Sequence, residues 1–309
     1  MAIAAEAFET DRRMLWGLCY RMTGNAADAD DLVQETFVKA IESPPRNTEA
    51  PLRPWLIRVA MNLSRDYLRR RRRRSYVGQW LPSPVPTDDG ESPASYEPPA
   101  PSEDSPAARY ELLESISFAF LLALEALTPS QRAVLLLRDV FDYSTEETAA
   151  ALDLTEANVK VLLYRARRKM QEYDRSKAAL TPARREATER ALEQFLLYIG
   201  TRDAEGLERL LAEEIVSVSD GGGEVAAGLR AIRGRSKVVR LILGILKKTV
   251  SQPRVSFRDL NGQPAVLVEE VNSRATRATR YTLHIDVDDA GRIRRLDAVL
   301  APSKLTALV

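Results

Sequence analysis

Apolar positions in this chain follow two periods, and the change between them divides it. Before about Glu214 they recur at helical spacing; afterwards they mostly alternate over short runs bounded by turn residues. Leu15, Leu18, Cys19 and Met22 share a first stripe. Between Ala27 and Ile41, a second stripe holds Ala29, Leu32, Val33, Thr36, Phe37, Ala40 and Ile41, leaving Asp28, Asp31, Gln34 and Glu35 outside. After a loop with Pro44, Pro45, Pro51 and Pro54, a third helix is expected from about Trp55. It should bury Trp55, Leu56, Val59, Ala60 and Leu63 and show Arg58, Asn62, Arg65 and Arg69, running into an arginine tract, Arg69–Arg74.

The region from Leu127 to Met170 reads as a helix, a short helix, a tight turn and a basic helix. Ser144 with Glu147 makes a capping box, so a helix starts there. Thr155 caps the next one, whose Val159, Leu162, Leu163, Ala166 and Met170 form the inner stripe. Its opposite face carries Ala157, Val161, Tyr164 and Arg168, flanked by Asn158, Lys160 and Arg165. An apolar stripe backed by a cationic face suits a helix-turn-helix, with charged groups on phosphates and the helix N-terminus on base edges. An ordinary amphipathic helix with a solvated basic face has the same pattern.

From Thr181 the texture changes. Thr181-Pro-Ala opens a helix with Ala191, Leu192, Phe195, Leu196 and Ile199 inside; a shorter one follows with Leu207, Leu210 and Leu211. A strand over Glu214–Ser219 leads to a tight turn, Asp220-Gly221-Gly222-Gly223. A helix over about Ala231–Leu246 precedes strands at Arg254–Asp259, Ala265–Val271, Arg280–Asp286 and Ile293–Val299, with turns at Asn261-Gly262 and Asp289–Gly291. Helices followed by a curled antiparallel sheet predict an α+β cone.

The chain has 309 residues, 45% hydrophobic, which suits two or three domains, and a net charge of +1. That average conceals a basic tract near residue 70 and acidic sequence after it. One cysteine and one histidine exclude a standard zinc site, and Cys19 lies on an apolar stripe. No signal peptide or membrane span is expected, which places the chain in the cytoplasm. No cofactor is implied. Residues 76–109 form a proline-rich acidic linker, whose start, Trp80-Leu81-Pro82-Ser83-Pro84, is an apolar segment in a polar tether. It either packs within its own domain or docks as a short peptide.

The order of these elements resembles the extracytoplasmic-function sigma factors. The motifs are Asp-Leu-Val-Gln-Glu-Thr-Phe from Asp31, a proline loop, Trp-Leu-Ile-Arg-Val-Ala from Trp55, Leu-Thr-Pro from Leu127 and the helix-turn-helix ending Arg-Ala-Arg. The resemblance implies two all-α sigma domains at 1–75 and 110–175; with the α+β cone at 180–309, the protein is expected to be multidomain. It implies that Asp31, Gln34 and Glu35 bind core RNA polymerase. Trp55, Arg58, Asn62, Arg65, Asp66 and Arg69 would handle the minus-ten element of promoter DNA. Thr155, Asn158, Lys160, Tyr164, Arg165 and Arg168 would read the minus-thirty-five element. Val161 and Leu162 depart from the polar pair of many relatives.

Three further segments resemble a subgroup with a fused SnoaL-like (nuclear-transport-factor-2-like) domain: the linker start at 80–84, Asp220–Glu224, and Ala301-Pro302-Ser303-Lys304-Leu305. Ser83, Glu224, Ala301 and Ser303 depart from its usual residues, so an ionic contact of relatives is expected to be missing. In that subgroup the fused domain replaces a separate anti-sigma factor. This implies regulation through Trp80, Leu81, Pro82, Pro84, Asp220, Gly221, Gly222, Gly223, Pro302, Lys304 and Leu305, and no catalysis. The alternative is a sigma-like DNA binder fused to a small-molecule-binding or enzymatic cone. That needs an acid–base pair, for which the sequence offers only His284 with Asp220; a small-molecule ligand is allowed, but nothing in the sequence supports one.

Overall fold

The computed structural model describes residues 2–45, 52–71, 76–87, 110–176, 181–247, 253–270 and 278–308, with side chains from Asp11 onward. Arg72–Arg74, the acidic linker from Asp88 to Arg109 and Val271 lie outside the described residues. The contacts divide the chain into two compact units: residues 1–75 with 89–177, and Tyr76–Asp88 with Ala178–Val309.

The first unit is all-helical. Its leading trio is α1 (Ala2–Thr23), α2 (Ala26–Glu42) and α3 (Leu52–Arg71). Gly24, at a φ of 67°, turns the chain, and the Asn25 side chain caps α2 by accepting the Asp28 N–H at 3.3 Å. Leu15, Leu18, Cys19 and Met22 meet Leu32, Val33 and Phe37 of α2 and Leu56, Ala60 and Leu63 of α3 in a buried core. Two details differ from the periodicity. Ile41 is 72% exposed, because it lies in the last turn of α2, past the end of that core. Trp55 and Val59 are only half-buried, because α3 begins earlier and turns Ile57, Met61, Ser64 and Leu68 inward.

Among the described residues, the other α-helices of this unit are α4 (Phe118–Leu124), α5 (Pro129–Asp139), α6 (Thr145–Leu152) and α7 (Glu156–Ser176). Capping boxes start α5, with Thr128 and Gln131, and α6, with Ser144 and Glu147. Asp153, left-handed at a φ of 54°, ends α6 and makes the tight turn into α7. Tyr110, Phe120 and Tyr173 meet edge to face and close the far end.

The second unit is the expected α+β cone. Thr181 caps α8 (Pro182–Thr201), Asp203 caps α9 (Ala204–Leu210), and α10 spans Arg235–Leu246. Among the described residues, six strands follow the order β2-β1-β6-β5-β4-β3: β1 Leu211–Asp220, β2 Ile232–Arg233, β3 Arg254–Leu260, β4 Gln263–Glu269, β5 Arg280–Val287 and β6 Ile293–Val299. The sheet is mixed rather than wholly antiparallel, since β1 runs parallel to β6. α10 starts later than its apolar pattern suggests: Ile232 and Arg233 pair with β1, and Gly234 at a φ of 93° breaks the strand from the helix. The space between helices and sheet is filled by side chains including Leu192, Phe195, Leu207, Ile215, Val238, Val266, Ile285 and Leu296.

Candidate nucleic-acid interface and linker clamp

In the first unit, Asp31, Gln34 and Glu35 are exposed on the face of α2 opposite its buried stripe. Asp30, next to them, serves structure instead: it accepts the Trp16 indole N–H at 2.9 Å, and burial raises its pKa. On α7, Thr155, Asn158, Lys160, Tyr164, Arg165 and Arg168 are all exposed. The Thr155 hydroxyl accepts the Asn158 N–H at 3.3 Å and so sets the helix start. Val159, Leu163, Ala166 and Met170 are buried as expected. Arg167, beside Arg168, is bonded to the buried Asp139 at 2.9 and 2.6 Å and locks α7 onto α5.

The residues of α3 are engaged differently. Arg65 donates to the Leu152 carbonyl at 3.0 Å and to Asn62 Oδ1 at 3.2 Å. Burial lowers the Arg65 pKa. Arg58 lies 3.3 Å from the Asp153 carboxylate, and Asp66 pairs with Arg69 at 2.6 Å. Two of the minus-ten candidates therefore grip the turn of the helix-turn-helix. Further contacts bind the same halves together. Arg71 donates twice to Glu125 at 2.8 Å and to the Thr23 carbonyl at 2.8 Å. Arg132 reaches the Met22 carbonyl, the Leu124 carbonyl and Glu125, each at 2.7 Å. The fully buried Arg21 donates to Ser115 at 2.6 Å and to the Leu112 carbonyl at 3.0 Å, and burial lowers its pKa to about 10. Sequence reading missed Arg21, Arg71, Glu125 and Arg132, because the bonds of Arg21 to Ser115, Arg71 to Glu125 and Arg132 to Met22 join segments distant in the chain.

In the second unit the start of the linker is docked on the cone. Asp220, fully buried, is the hub: it accepts from Tyr76 Oη at 2.6 Å, the Leu81 N–H at 2.7 Å and the Gly222 N–H at 2.9 Å. Lys304 Nζ lies 2.6 Å from the same carboxylate and donates to the Leu81 carbonyl at 2.5 Å. It also sits 4.9 Å from the Tyr76 ring centre and 4.7 Å from that of Trp80. Leu81, Pro82, Ser83, Pro84 and Val85 are buried, whereas Trp80 is half-buried, so apolar burial falls mainly on Leu81 and Val85. Leu305 is buried and Pro302 exposed. The turn tolerates no side chains: a Cβ on Gly221 would come within 2.5 Å of the Val225 carbonyl oxygen, and Gly223, at a φ of 80°, packs on Val77.

Farther along, the Asn261 side chain accepts the Val85 N–H at 2.9 Å while its own N–H returns to the Val85 carbonyl at 2.9 Å. Thr87 N–H donates to the Asp259 carbonyl at 2.9 Å. The Asn261-Gly262 motif was legible only as a hairpin turn; its second task was not. At the departures from the subgroup pattern, Glu224 accepts from the Ser303 hydroxyl at 2.5 Å and from its N–H at 3.3 Å. A neutral hydroxyl thus meets the carboxylate, and no ion pair is formed between these two positions.

The two groups of the enzymatic alternative have other partners. Asp220 is committed to the linker contacts, and His284 Nε2 lies 3.1 Å from Thr282 Oγ1. Burial lowers the His284 pKa to about 3, so the ring is neutral. Its cross-strand neighbour is Asp297, raised in pKa by burial and bonded to Arg295 at 2.7 Å. No helix among the described residues is long and apolar enough to cross a membrane.

Comparison with known proteins gives two family matches, Sigma-70 region 2 at residues 7–74 and Sigma-70, region 4 at residues 117–170. The chain is 31% identical over 243 residues to the ECF RNA polymerase sigma factor SigJ of Mycobacterium tuberculosis, covering 78% of this chain and 72% of that one. It is 29% identical to the probable ECF RNA polymerase sigma factor SigI of the same species, over 98% of this chain and 94% of that one. The crystal structure of SigJ superposes with a TM-score of 0.72 and 27% identity, covering 98% of each chain.

Proposed function

The chain belongs to the extracytoplasmic-function RNA polymerase sigma factors, which direct promoter-specific initiation with core polymerase, and from that premise we propose how its residues divide the work. The exposed carboxylates Asp31 and Glu35, with Gln34, form the polymerase-binding face, since an acidic face repels DNA. Lys160, Arg165 and Arg168 hold phosphates of the minus-thirty-five element, while Thr155 and Asn158 at the start of α7, with Tyr164 about two turns on, meet its base edges. Trp55, Arg58, Asn62, Arg65, Asp66 and Arg69 serve the minus-ten element. The chain works in the cytoplasm, beside polymerase.

The form described above is the idle one. The observation that carries this is the Arg65 contact with the Leu152 carbonyl at 3.0 Å. Two promoter elements some 25 base pairs apart are separated by about 85 Å at 3.4 Å per pair. A helix touching the helix-turn-helix cannot serve one element while that motif serves the other. Opening must break the α3–α6 contact and the Arg71–Glu125 and Arg132 bonds. The cone takes part through chain connectivity: by gripping Tyr76–Thr87 it holds the chain that leaves α3, and the remaining linker alone leads on to the second sigma domain. No separate anti-sigma factor is required for this restraint. The test is run-off transcription by core polymerase on the gene's own upstream region, comparing the full chain with one stopped after Ser176. Equal promoter choice and equal output from both would remove the cone from control of initiation.

A further inference from the structure

We propose that Val161 selects promoters by packing on the methyl group of a thymine in the upstream element. The inference rests on the reading of α7 as the helix that meets the upstream element, which places it in the major groove. At about 100° per residue, Val161 points almost directly away from the buried stripe Val159, Leu163, Ala166 and Met170. It is an aliphatic side chain left 46% exposed on a helix whose other outward groups are mostly charged. It lies five residues after Glu156, about 7.5 Å along the axis, in the portion of a recognition helix that meets base edges. Lys160 and Arg165 flank it, and Arg168 lies about 10 Å farther on, where the groove floor gives way to backbone.

The major-groove edges of the bases present nitrogen and oxygen donors and acceptors and one apolar group, the thymine methyl. Valine set against a donor or acceptor strips it of water and offers no bond in return. Set against the methyl, it buries apolar surface on both sides. The base pair facing Val161 is therefore A·T, with its thymine methyl turned to the side chain.

The test uses holoenzyme reconstituted from core polymerase and the full chain. Duplexes are selected from a library randomised across the upstream element, and each thymine of the enriched sequence is then replaced by deoxyuracil, which removes only the methyl. At one position the replacement should weaken wild-type binding about fourfold, while Val161→Ala holoenzyme changes by less than about twofold. Alanine at this exposed helical position favours folding. The proposal is overturned if the enriched element has no such thymine, or if every replacement affects both proteins alike. A Lys160→Ala/Arg165→Ala/Arg168→Ala chain separates the causes of failure. If it loses the element while deoxyuracil is silent, α7 still reads DNA and Val161 alone is misassigned. If the triple variant also binds normally, the placement of α7 falls, and Val161 with it.

Discussion

Replacing Lys304 by methionine should release the start of the linker from the cone. The ammonium is 2.6 Å from Asp220, with side chains 3% and 0% exposed, so water does not screen the pair. Removing one partner of a buried pair costs about 3–5 kcal/mol, because the remaining charge is left without its counter-ion. The Asp220 carboxylate would keep the Tyr76, Leu81 and Gly222 donors, which places the cost toward the lower end. Local undocking, which returns Asp220 to water, relieves the penalty without unfolding the cone core. A cost of about 3 kcal/mol raises the undocked population by about two orders of magnitude. Hydrogen exchange reads this directly, since the Leu81, Val85 and Thr87 amides are all bonded to the cone. In Lys304→Met these amides should exchange about a hundredfold faster, while those of β5 and β6 keep their protection. In the double variant with Asp220→Asn, the added loss should be smaller than that of Asp220→Asn alone, since the pair no longer exists. Unchanged protection at Leu81 in Lys304→Met would refute the reasoning and leave the buried pair without a part in docking.

Three further outcomes are expected. Asp31→Lys should weaken binding to core polymerase while shifting stability by no more than about 0.5 kcal/mol, as the site is exposed; co-purification and thermal melts check both. Replacing Lys160, Arg165 and Arg168 by alanine should flatten the salt dependence of promoter binding by about one unit of slope per lost phosphate contact, read from titrations at several salt concentrations. His284 is held at about 3 against an ordinary value of 6.5, so as pH falls below 6.5 the unfolded chain takes up a proton that the folded chain does not. Stability from this group is complete above 6.5 and should fall with acidification, by up to about 1.4 kcal/mol per unit. Asp297, raised in pKa, opposes the trend at lower pH, so denaturant melts between about pH 6.5 and 5 give the cleanest reading, and His284→Asn should flatten the slope there.

Local chemistry made the helix-turn-helix legible. The Ser144–Glu147 box, the Thr155 cap and the inner stripe of α7 act within a few residues, and all are present, though Leu162 of the expected stripe is only half-buried. A regulatory part for 80–84 and the Asp220 turn was expected from a motif, but which side chains of the segment are buried was not legible. Alternation in so short a segment does not tell which side chain turns inward, and backbone bonds to Asp220, Lys304 and Asn261 turn Leu81 and Val85 in. The parallel pairing of β1 with β6 was hidden, since both strands read alike in either direction. The closing of α3 on α6 was hidden for another reason. Arg65 and Arg58 look like free cations in sequence, and their partners, a carbonyl and a C-cap aspartate about ninety residues away, carry no pattern.

The central claim, that the two sigma domains must part for initiation, is tested by joining them. Arg71 and Glu125 meet across the contact at 2.8 Å, and neither is assigned to DNA or polymerase. Cys19 is buried with its thiol pushed up to about 12, so it does not compete for thiol reagents. An Arg71→Cys/Glu125→Cys chain, bridged by a bis-maleimide whose spacer holds a reducible disulfide and assembled with core polymerase, is assayed by run-off transcription before and after reduction of the spacer. The bridged chain should give no promoter-specific transcript and regain it on cleavage; equal transcript from both would contradict the account.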